Sequence, residues 1–311
     1  MSDYASAAFV GLILRQMAVA GIPVPQELSP GPSPGGPPMA SLDLKRQLLA
    51  NACTVAGPGF VLQVGQGIHA IPSDPTLDAL RRAVDATDLL DRWCRLEKYH
   101  HSHHRVRVLK AGEREMRLSH VSLRTTPPGP LENLAVLGLL AALLQAIGCS
   151  GLDIDLGHAS DCVAAMREGH IVLAAQAIGT LPTAKWHIRW RDLRREDRIQ
   201  PPPLQPNLPD RLYTLFDDDP VRHWPIAEAA AAMAMSSRKL QRLLQTHGAS
   251  YSGILRDARV RRSARMMLET SASLAEIGYA AGFADQAHFT REFRRILGAS
   301  PAEWRRVATG A

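Results

Sequence analysis

Residues 197–209, DRIQPPPLQPNLP, hold five prolines in thirteen positions. Each proline fixes its own φ and brings no backbone N–H, so neither a helix nor an interior strand can pass through such a run. The segment reads as a semi-rigid, polyproline-like linker. A chain of 311 residues interrupted here cannot share one core across the break, and its length suits two domains of about 100–200 residues each. The expected boundaries are 1–196 for a first domain, 197–209 for the linker and 210–311 for a second domain. Another proline-rich stretch, PVPQELSPGPSPGGPP at 23–38, reads as a loop after the first helix.

The two sides differ in charge. From Pro220 to the end there are 14 Lys and Arg against 7 Asp and Glu, and the preceding residues hold the other 22 basic and 23 acidic side chains. The whole positive excess sits in the last third of the chain, which implies a polyanion as the partner of that part alone. Apolar residues make up 46%, enough for real cores, but no apolar run reaches the roughly 20 residues of a membrane span. The N-terminus, MSDYASAAFVGLILRQMAVAG, has no basic stretch ahead of its apolar run and does not read as a signal peptide. Cys53, Cys94, Cys149 and Cys162 are dispersed with no CxxC spacing. That suits a reducing cytoplasm and argues against a zinc site or a disulfide framework. The expectation is a cytoplasmic chain with no membrane contact, no metal and no cofactor.

The first domain reads as α+β. SLDLKRQLLANACTVAG starts at a Ser41 N-cap and reads as a helix. PTLDALRRAVDATDLLDRWCRL, 75–96, reads as another, with Leu77, Leu80, Val84, Leu89 and Trp93 apolar. RVRVLKAG and MRLSHVSLRTT alternate as strands across a glycine-containing turn. A long apolar helix over 131–147 follows, then HIVLAAQA and KWHIRWRDL as extended segments, making four short strands in all. The run Leu134–Leu144 is a buried helix or a partner face, and its composition suggests a pocket for a largely apolar or amphipathic molecule.

The second domain is all helix. A short opener, RLYTLF, precedes IAEAAAAMAMSSRKLQRLLQTHG. That segment gives a helix over Ile226–Met233, a turn at Ala234–Met235, a Ser236 N-cap and a second helix ending before Gly248. YSGILRDARVRRSARMMLE is one long helix. SLAEIGYAAGFADQAHFTREFRRILG then repeats the scheme. It has Ser273 with Glu276 three residues on, as in a capping box, a turn at Gly282–Phe283–Ala284, and a helix from Asp285 to Leu297 closed by Gly298. At about 100° per residue, Phe289, Phe293 and Ile296 share one stripe of this helix, while Ala287, Arg291 and Arg294 lie opposite. Upstream, Leu240 and Leu244 face a core while Arg238, Arg242 and Gln245 point away, with Gln241 beside them.

Two helix–turn–helix units flanking one linking helix present two helices to DNA. The base-contacting candidates are Arg238, Gln241, Arg242 and Gln245 in the first unit, and Gln286, Ala287, His288 and Arg291 in the second. Ser236, Ser237, Lys239, Asp285, Thr290, Arg294 and Arg295 are the phosphate-contacting candidates.

At these residues the chain resembles the AraC/XylS family of bacterial transcription regulators. The second unit carries Ile277, Gly282–Phe283, Phe289, Arg291, Phe293–Arg294, Gly298, Pro301 and Trp304–Arg305, and the first carries MSSRKLQRLL at 235–244. The resemblance covers roughly residues 208–311. Ala234 stands where many members have a turn glycine, so a strained or differently wound first turn is expected. Gly278 replaces a common alanine, and Trp304 stands for Tyr or Phe. By the order of its elements, the N-terminal part is similar to the arabinose-binding-type sensor domain of one branch of that family. The fold implied is an α+β sensor domain joined to an all-α domain with two helix–turn–helix units. The function implied is that of a sequence-specific, non-enzymatic transcriptional regulator, an activator in the family's commoner mode. Its implied partners are double-stranded DNA, a small-molecule effector of unknown identity and binding residues, RNA polymerase and a second copy of itself.

Three other features carry less. KYHHSHHRVRV places His100, His101, His103 and His104 together, as a metal site or as a solvated loop or interface patch. GPGFVLQVGQG, 57–67, lacks GxxxxGK[ST] and reads as a turn into an apolar segment rather than a phosphate cradle. No GxSxG, HExxH or kinase set is present. The alternative class is an enzyme, such as a DNA-repair protein fused to this kind of helix–turn–helix pair, and it requires an activated cysteine or a zinc–cysteine cluster.

Overall fold

The structure is a computed structural model and describes residues 4–28, 39–71, 74–100, 103–157, 162–173, 178–199, 207–219, 222 and 224–309. It forms two compact units, one built for the most part from residues before Pro203 and the other from Pro203–Ala311. Residues 200–206 of the expected linker and 29–38 of the first proline-rich loop lie outside the described residues.

In the first unit, β1 (Tyr4–Ser6) and β2 (Met39–Ser41) pair antiparallel and lead into α1 (Ala7–Val19) and α2 (Leu42–Gln63). Ser41 caps α2, its hydroxyl accepting from the Asp43 N–H. The far end of α2 corrects the reading of GPGFVLQVGQG as a turn. Gly57, at φ +80°, kinks the helix, Pro58 sits in the first turn of its continuation, and a 3₁₀ stretch runs over Val64–Ala70. Proline fits there because the first-turn N–H groups have no intrahelical acceptor. The helical stretch Leu42–Ala70 is long and apolar enough, by length and composition, to cross a membrane; here it packs on the apolar helix α5 (Pro130–Ala146). The two backbones approach so closely that a Cβ on Gly65 would strike the Gly138 carbonyl, and one on Gly138 the Leu62 carbonyl. Leu134, Leu137, Leu140, Leu143 and Leu144 are each 2% exposed or less, so the helix is core rather than the wall of an open pocket.

Segment 75–96 is two helices, α3 (Pro75–Arg81) and α4 (Ala86–His100). The Asp85 carboxylate accepts from the Asp88 N–H at 2.8 Å, and that of Asp88 from the Val84 N–H at 2.9 Å. These local bonds offer the backbone an alternative to helix at the junction.

The strands expected at RVRVLKAG and MRLSHVSLRTT are β3 (His104–Ala111) and β4 (Glu115–Ser122). After α5 come β5 (Cys149–Ser150), β6 (Asp153–Leu156), β7 (Val163–Arg167), β8 (His170–Ile171), β9 (Lys185–Arg189) and β10 (Asp192–Leu193). Four strands was therefore too few: an antiparallel sheet of order β3-β4-β9-β6-β7-β8 forms, and β5 pairs with β10. DIDL and VAAMR are short and poor in β-branched residues, so their strand state comes from pairing with each other and with β9 rather than from propensity.

Val106, Leu118, Ile154, Met166, Trp186 and Ile188 are buried on one sheet face. Polar groups join that face to the helices. His120 Nδ1 lies 2.8 Å from Asn133 Oδ1, and the Asn133 amide donates to Thr183 Oγ1 at 3.0 Å. Lys45 Nζ and Arg46 Nε each lie 3.2 Å from a Glu132 carboxylate oxygen, and the Gly129 N–H donates to it at 2.9 Å. His104 Nδ1 is 3.8 Å from the same carboxylate. His103 and His104 are 5% and 2% exposed, which corrects the solvated-loop reading of that cluster; the His100 side chain and His101 lie outside the described residues. Burial pushes His104 and His120 down to about 4.

Two outcomes follow for this unit. Gly138→Ala should lower its stability by about 3 kcal/mol through overpacking, read as a fall in melting temperature. The depressed histidines stay neutral in the fold while the unfolded chain protonates near pH 6.5. Their stabilising effect is therefore complete above pH 6.5 and is lost progressively toward pH 4. Buried Glu97, pushed up to about 7, opposes them over the same window, so thermal melts of Glu97→Gln at pH 7.5 and 5.5 should show the first unit less stable at the lower pH, and equal melting of that variant would contradict this.

Candidate nucleic-acid interface

The second unit runs α6 (Leu208–Asp218), α7 (Ile226–Ala232), α8 (Ser237–Thr246), α9 (Tyr251–Glu269), α10 (Leu274–Ala280), α11 (Gln286–Leu297) and α12 (Pro301–Thr309). Its two turns are built alike. Ala234 and Gly282 each stand two residues past a helix end, at φ +56° and +83°. The Met235 N–H donates to the Ala230 carbonyl at 2.9 Å and the Phe283 N–H to the Gly278 carbonyl at 3.0 Å. The Ala234 and Gly282 N–H groups close the inner bonds to Ala231 and Tyr279 at 2.9 and 2.8 Å. This double closure requires a left-handed residue, which costs an alanine about 1–2 kcal/mol. The first turn is thus strained, as expected, but wound like the second.

Helices α8 and α11 each start at a side-chain cap. Ser236 Oγ accepts from the Lys239 N–H at 3.3 Å and Asp285 Oδ1 from the His288 N–H at 2.7 Å. Both residues were phosphate candidates: the Ser236 oxygen accepts at its cap while the hydroxyl proton stays available to donate, whereas the Asp285 carboxylate is acceptor-only and would repel phosphate. Behind α8, Leu240 and Leu244 pack with Leu212, Phe216, Trp224, Ala229, Ile254 and Ala258. Behind α11, the rings of Phe283, Phe289, Phe293 and Trp304 follow one another at centroid distances of 5.0, 5.5 and 5.9 Å. A Cβ at Gly278 would lie 3.0 Å from the Phe289 ring, so the helix-weakening glycine gives that ring its seat.

The outer faces carry the donors. Arg238, Lys239, Gln241, Arg242 and Gln245 are exposed, and with Ser236 they line a concavity of about 490 Å³. On α11, Gln286, Ala287, Arg291 and Arg294 are exposed. His288 is half-buried, edge-on to Phe283 at 5.5 Å; Ser237 and Thr290 are also half-buried. Arg238, Lys239, Arg242 and Arg291 make no side-chain hydrogen bond or ion pair with any described residue. Arg295, by contrast, donates from Nε to Glu292 at 2.9 Å, and Glu292 also lies 3.6 Å from Arg256 Nε on α9. That tie, at helical i,i+3 spacing, makes Arg295 an ion-paired phosphate candidate, and Arg294 Nη2 in turn lies 4.0 Å from a Glu303 carboxylate oxygen. Arg305, which donates to the Ala272 carbonyl at 2.6 Å, braces the loop before α10. Burial pushes the Cys53 thiol up, that of Cys94 to about 11 and that of Cys149 to about 12, so none of these three is an activated nucleophile.

Residues 229–307 match the family described as a helix-turn-helix domain, and the second unit carries such a domain. Over 101 residues the chain is 28% identical to the HTH-type transcriptional regulator GadX of Escherichia coli O6:H1, covering 32% of this chain and 37% of that protein. It is 30% identical over 157 residues to the transcriptional activator NphR of a Rhodococcus species, covering 50% and 42%. With the arabinose operon regulatory protein of Salmonella typhimurium it shares 30% identity over 105 residues, covering 33% and 37%. The chain spans less than half the length of each of these curated relatives.

The matched turns give an opposed pair of outcomes. Ala234→Gly should raise the melting temperature of the second unit by up to about 4 °C, since relief of strain outweighs glycine's entropy cost. Gly282→Ala should lower it by about 4–8 °C for a loss near 1 kcal/mol. Shifts of the same sign would show that the two turns are not equivalent in solution.

Proposed function

We propose that the chain is a DNA-binding transcriptional regulator of the AraC/XylS kind. The observation that carries this is the duplicated unit, in which two like-built turns each present a helix whose inner face is core and whose outer face carries exposed donors, Arg238 and Arg242 on one and Arg291 on the other, that pair with no described residue. The helix-turn-helix domain and the regulators similar to it support the same reading. Arg238, Arg242 and Arg291 bridge guanine O6 and N7, and Gln241, Gln245 and Gln286 pair with adenine. Ala287 allows close approach to a base edge, and His288 sits at the margin of the contact. Ser237, Lys239, Thr290 and Arg294 bind phosphates. If α9 holds the two reading helices rigidly, they occupy successive major-groove segments about 10 bp apart on one DNA face.

In this reading the first unit, over residues 1–196, senses a small molecule and mediates dimerisation in the manner of an arabinose-binding-type sensor. The regulator activates through contact with RNA polymerase in the cytoplasm, and does so without enzymatic activity. With Leu134–Leu144 taken up by the core, an apolar effector loses the support that composition lent it.

Binding of the full chain to a randomised duplex library tests base readout. Arg291→Ala should cost about 1–3 kcal/mol and relax preference at one base position, while Lys239→Ala should weaken all sequences alike and lower the salt slope by about 1. A uniform loss for Arg291→Ala would assign that residue to phosphate. An absence of salt-dependent duplex binding by the unsubstituted chain would overturn the regulator reading.

A further inference from the structure

On the outward face of the six-stranded sheet, charges are paired at one side and unpaired at the other. Toward β6 and β7 they cancel: Asp155 is held by Arg167 and, at 2.8 Å, by Arg189. Glu115 is held by Lys110 at 2.6 Å and by His187 at 2.9 Å. Farther along β3, β4 and β9, away from Glu115 and its Lys110 partner on β3, the pairing stops. Arg107, Arg117 and Lys185 are exposed, and none makes a side-chain hydrogen bond or ion pair with a described residue.

The strand register gathers these three. Arg107 stands opposite Ser119 across β3–β4, and Ser119 stands opposite Lys185 across β4–β9. Arg117, two residues along β4, shares their face. With strands about 4.8 Å apart and same-face side chains about 7 Å apart along a strand, three cations surround the Ser119 hydroxyl within about 10 Å. Ser119 is itself only 7% exposed. Like charges on neighbouring strands are destabilising, so the sheet bears a cost here that a bound anion would remove. Two arginine forks, an ammonium and a hydroxyl suit a tetrahedral dianion, whereas a single carboxylate would leave most of the excess charge unbalanced. An extended polyanion fits less well, because Glu115, Asp153 and Asp155 lie on the same face beyond the cluster.

We propose that the β3–β4–β9 face binds a small phosphate-bearing ligand, with Arg107, Arg117 and Lys185 pairing with the phosphate and Ser119 donating to it. This deepens the sensing role given above to the first unit and rests on that reading for its purpose, while the binding itself is tested without DNA.

The test uses the full chain, with inorganic phosphate as the probe at constant ionic strength balanced by chloride. The unsubstituted chain is compared with the surface variant R107S/R117S/K185S and with S119A. Phosphate at 10 mM should raise the melting temperature of the first unit by several degrees in the unsubstituted chain, less in S119A and not at all in the triple variant. Hydrogen exchange should slow across residues 105–121 and 185–189 only where the three cations are present. Without phosphate, the triple variant should melt above the unsubstituted chain, because the like-charge repulsion is gone. Equal phosphate shifts in the unsubstituted chain and the triple variant would overturn the proposal, leaving general anion screening. So would a tenfold or greater loss of duplex affinity in the triple variant without any phosphate effect, which would make the face a DNA contact. Duplex binding by the unsubstituted chain is measured in parallel, so failure of the regulator reading is seen separately from failure of the phosphate site.

Discussion

Helix α9 serves two cores at once, and the geometry of the whole second unit depends on it. Ile254 and Ala258 close the first core with Leu240 and Leu244 of α8. Farther along, Val260, Ala264 and Met267 are buried as α9 continues to where α10, α11 and α12 pack on it. At 1.5 Å per residue, its 19 residues span about 28 Å, so α8 and α11 are set by one stiff rod rather than by a loop. Polar ties fix how each neighbour sits on that rod. Tyr213 of α6 donates to Asp257 at 2.6 Å, Arg262 donates to Asp217 at 3.0 Å, and Arg256 approaches Glu292 of α11 at 3.6 Å. Partly exposed pairs of this kind add little stability each, but each one removes a rotation that would otherwise turn a donor face away from its target.

Much of the second unit was legible because its signals are local. Capping residues, glycines at helix ends and a 3.6-residue apolar period state helix, turn and buried face within a window of about twenty residues. Ala234, which breaks the turn rule, left a strained or a differently wound turn open in the sequence, and the closure around it settles on the strained left-handed one. What was not legible depends on residues distant in sequence. Gly278 reads as a weak helix position until the Phe289 ring is found where its Cβ would be. Arg295 reads as a free cation until Glu292 is seen pairing with it along α11 while also approaching Arg256 of α9.

The first unit was less legible for the same physical reason. VAAMR has no strand signal of its own and extends because β6 is there to pair with it. His104 lies in a polar, histidine-rich stretch, yet the register of β3 turns it inward toward Glu132 and Lys45 of the helical layer. Lys45 is itself fully buried, and no pattern in its own helix announces that, since its acidic partner among the described residues lies 87 positions away at Glu132. An ion pair so placed is weak evidence of net stability, because desolvation of both charges offsets their attraction. What it does fix is position: the β3 edge, α2 and α5 must meet at one point for the charges to be satisfied.

The state of each cation separates arginines spent inside the fold from those left open to a partner more sharply than charge counting does. Arg167 and Arg189 on Asp155, Arg262 and Arg265 on Asp217, and Arg295 on Glu292 are neutralised inside the fold. They hold elements together and have little left to offer a partner. Arg238, Lys239, Arg242 and Arg291 are in the opposite state, exposed on two helices with no carboxylate in reach among the described residues. Arg107, Arg117 and Lys185 repeat that state on a sheet. Unpaired cations gathered on one rigid face repel one another, and that repulsion is relieved only by an anion from outside the chain. The net positive balance of the second unit pointed to such an anion. In the first unit, the near-neutral balance concealed an unpaired cluster, because the acids that cancel it in the count are already bound to other arginines.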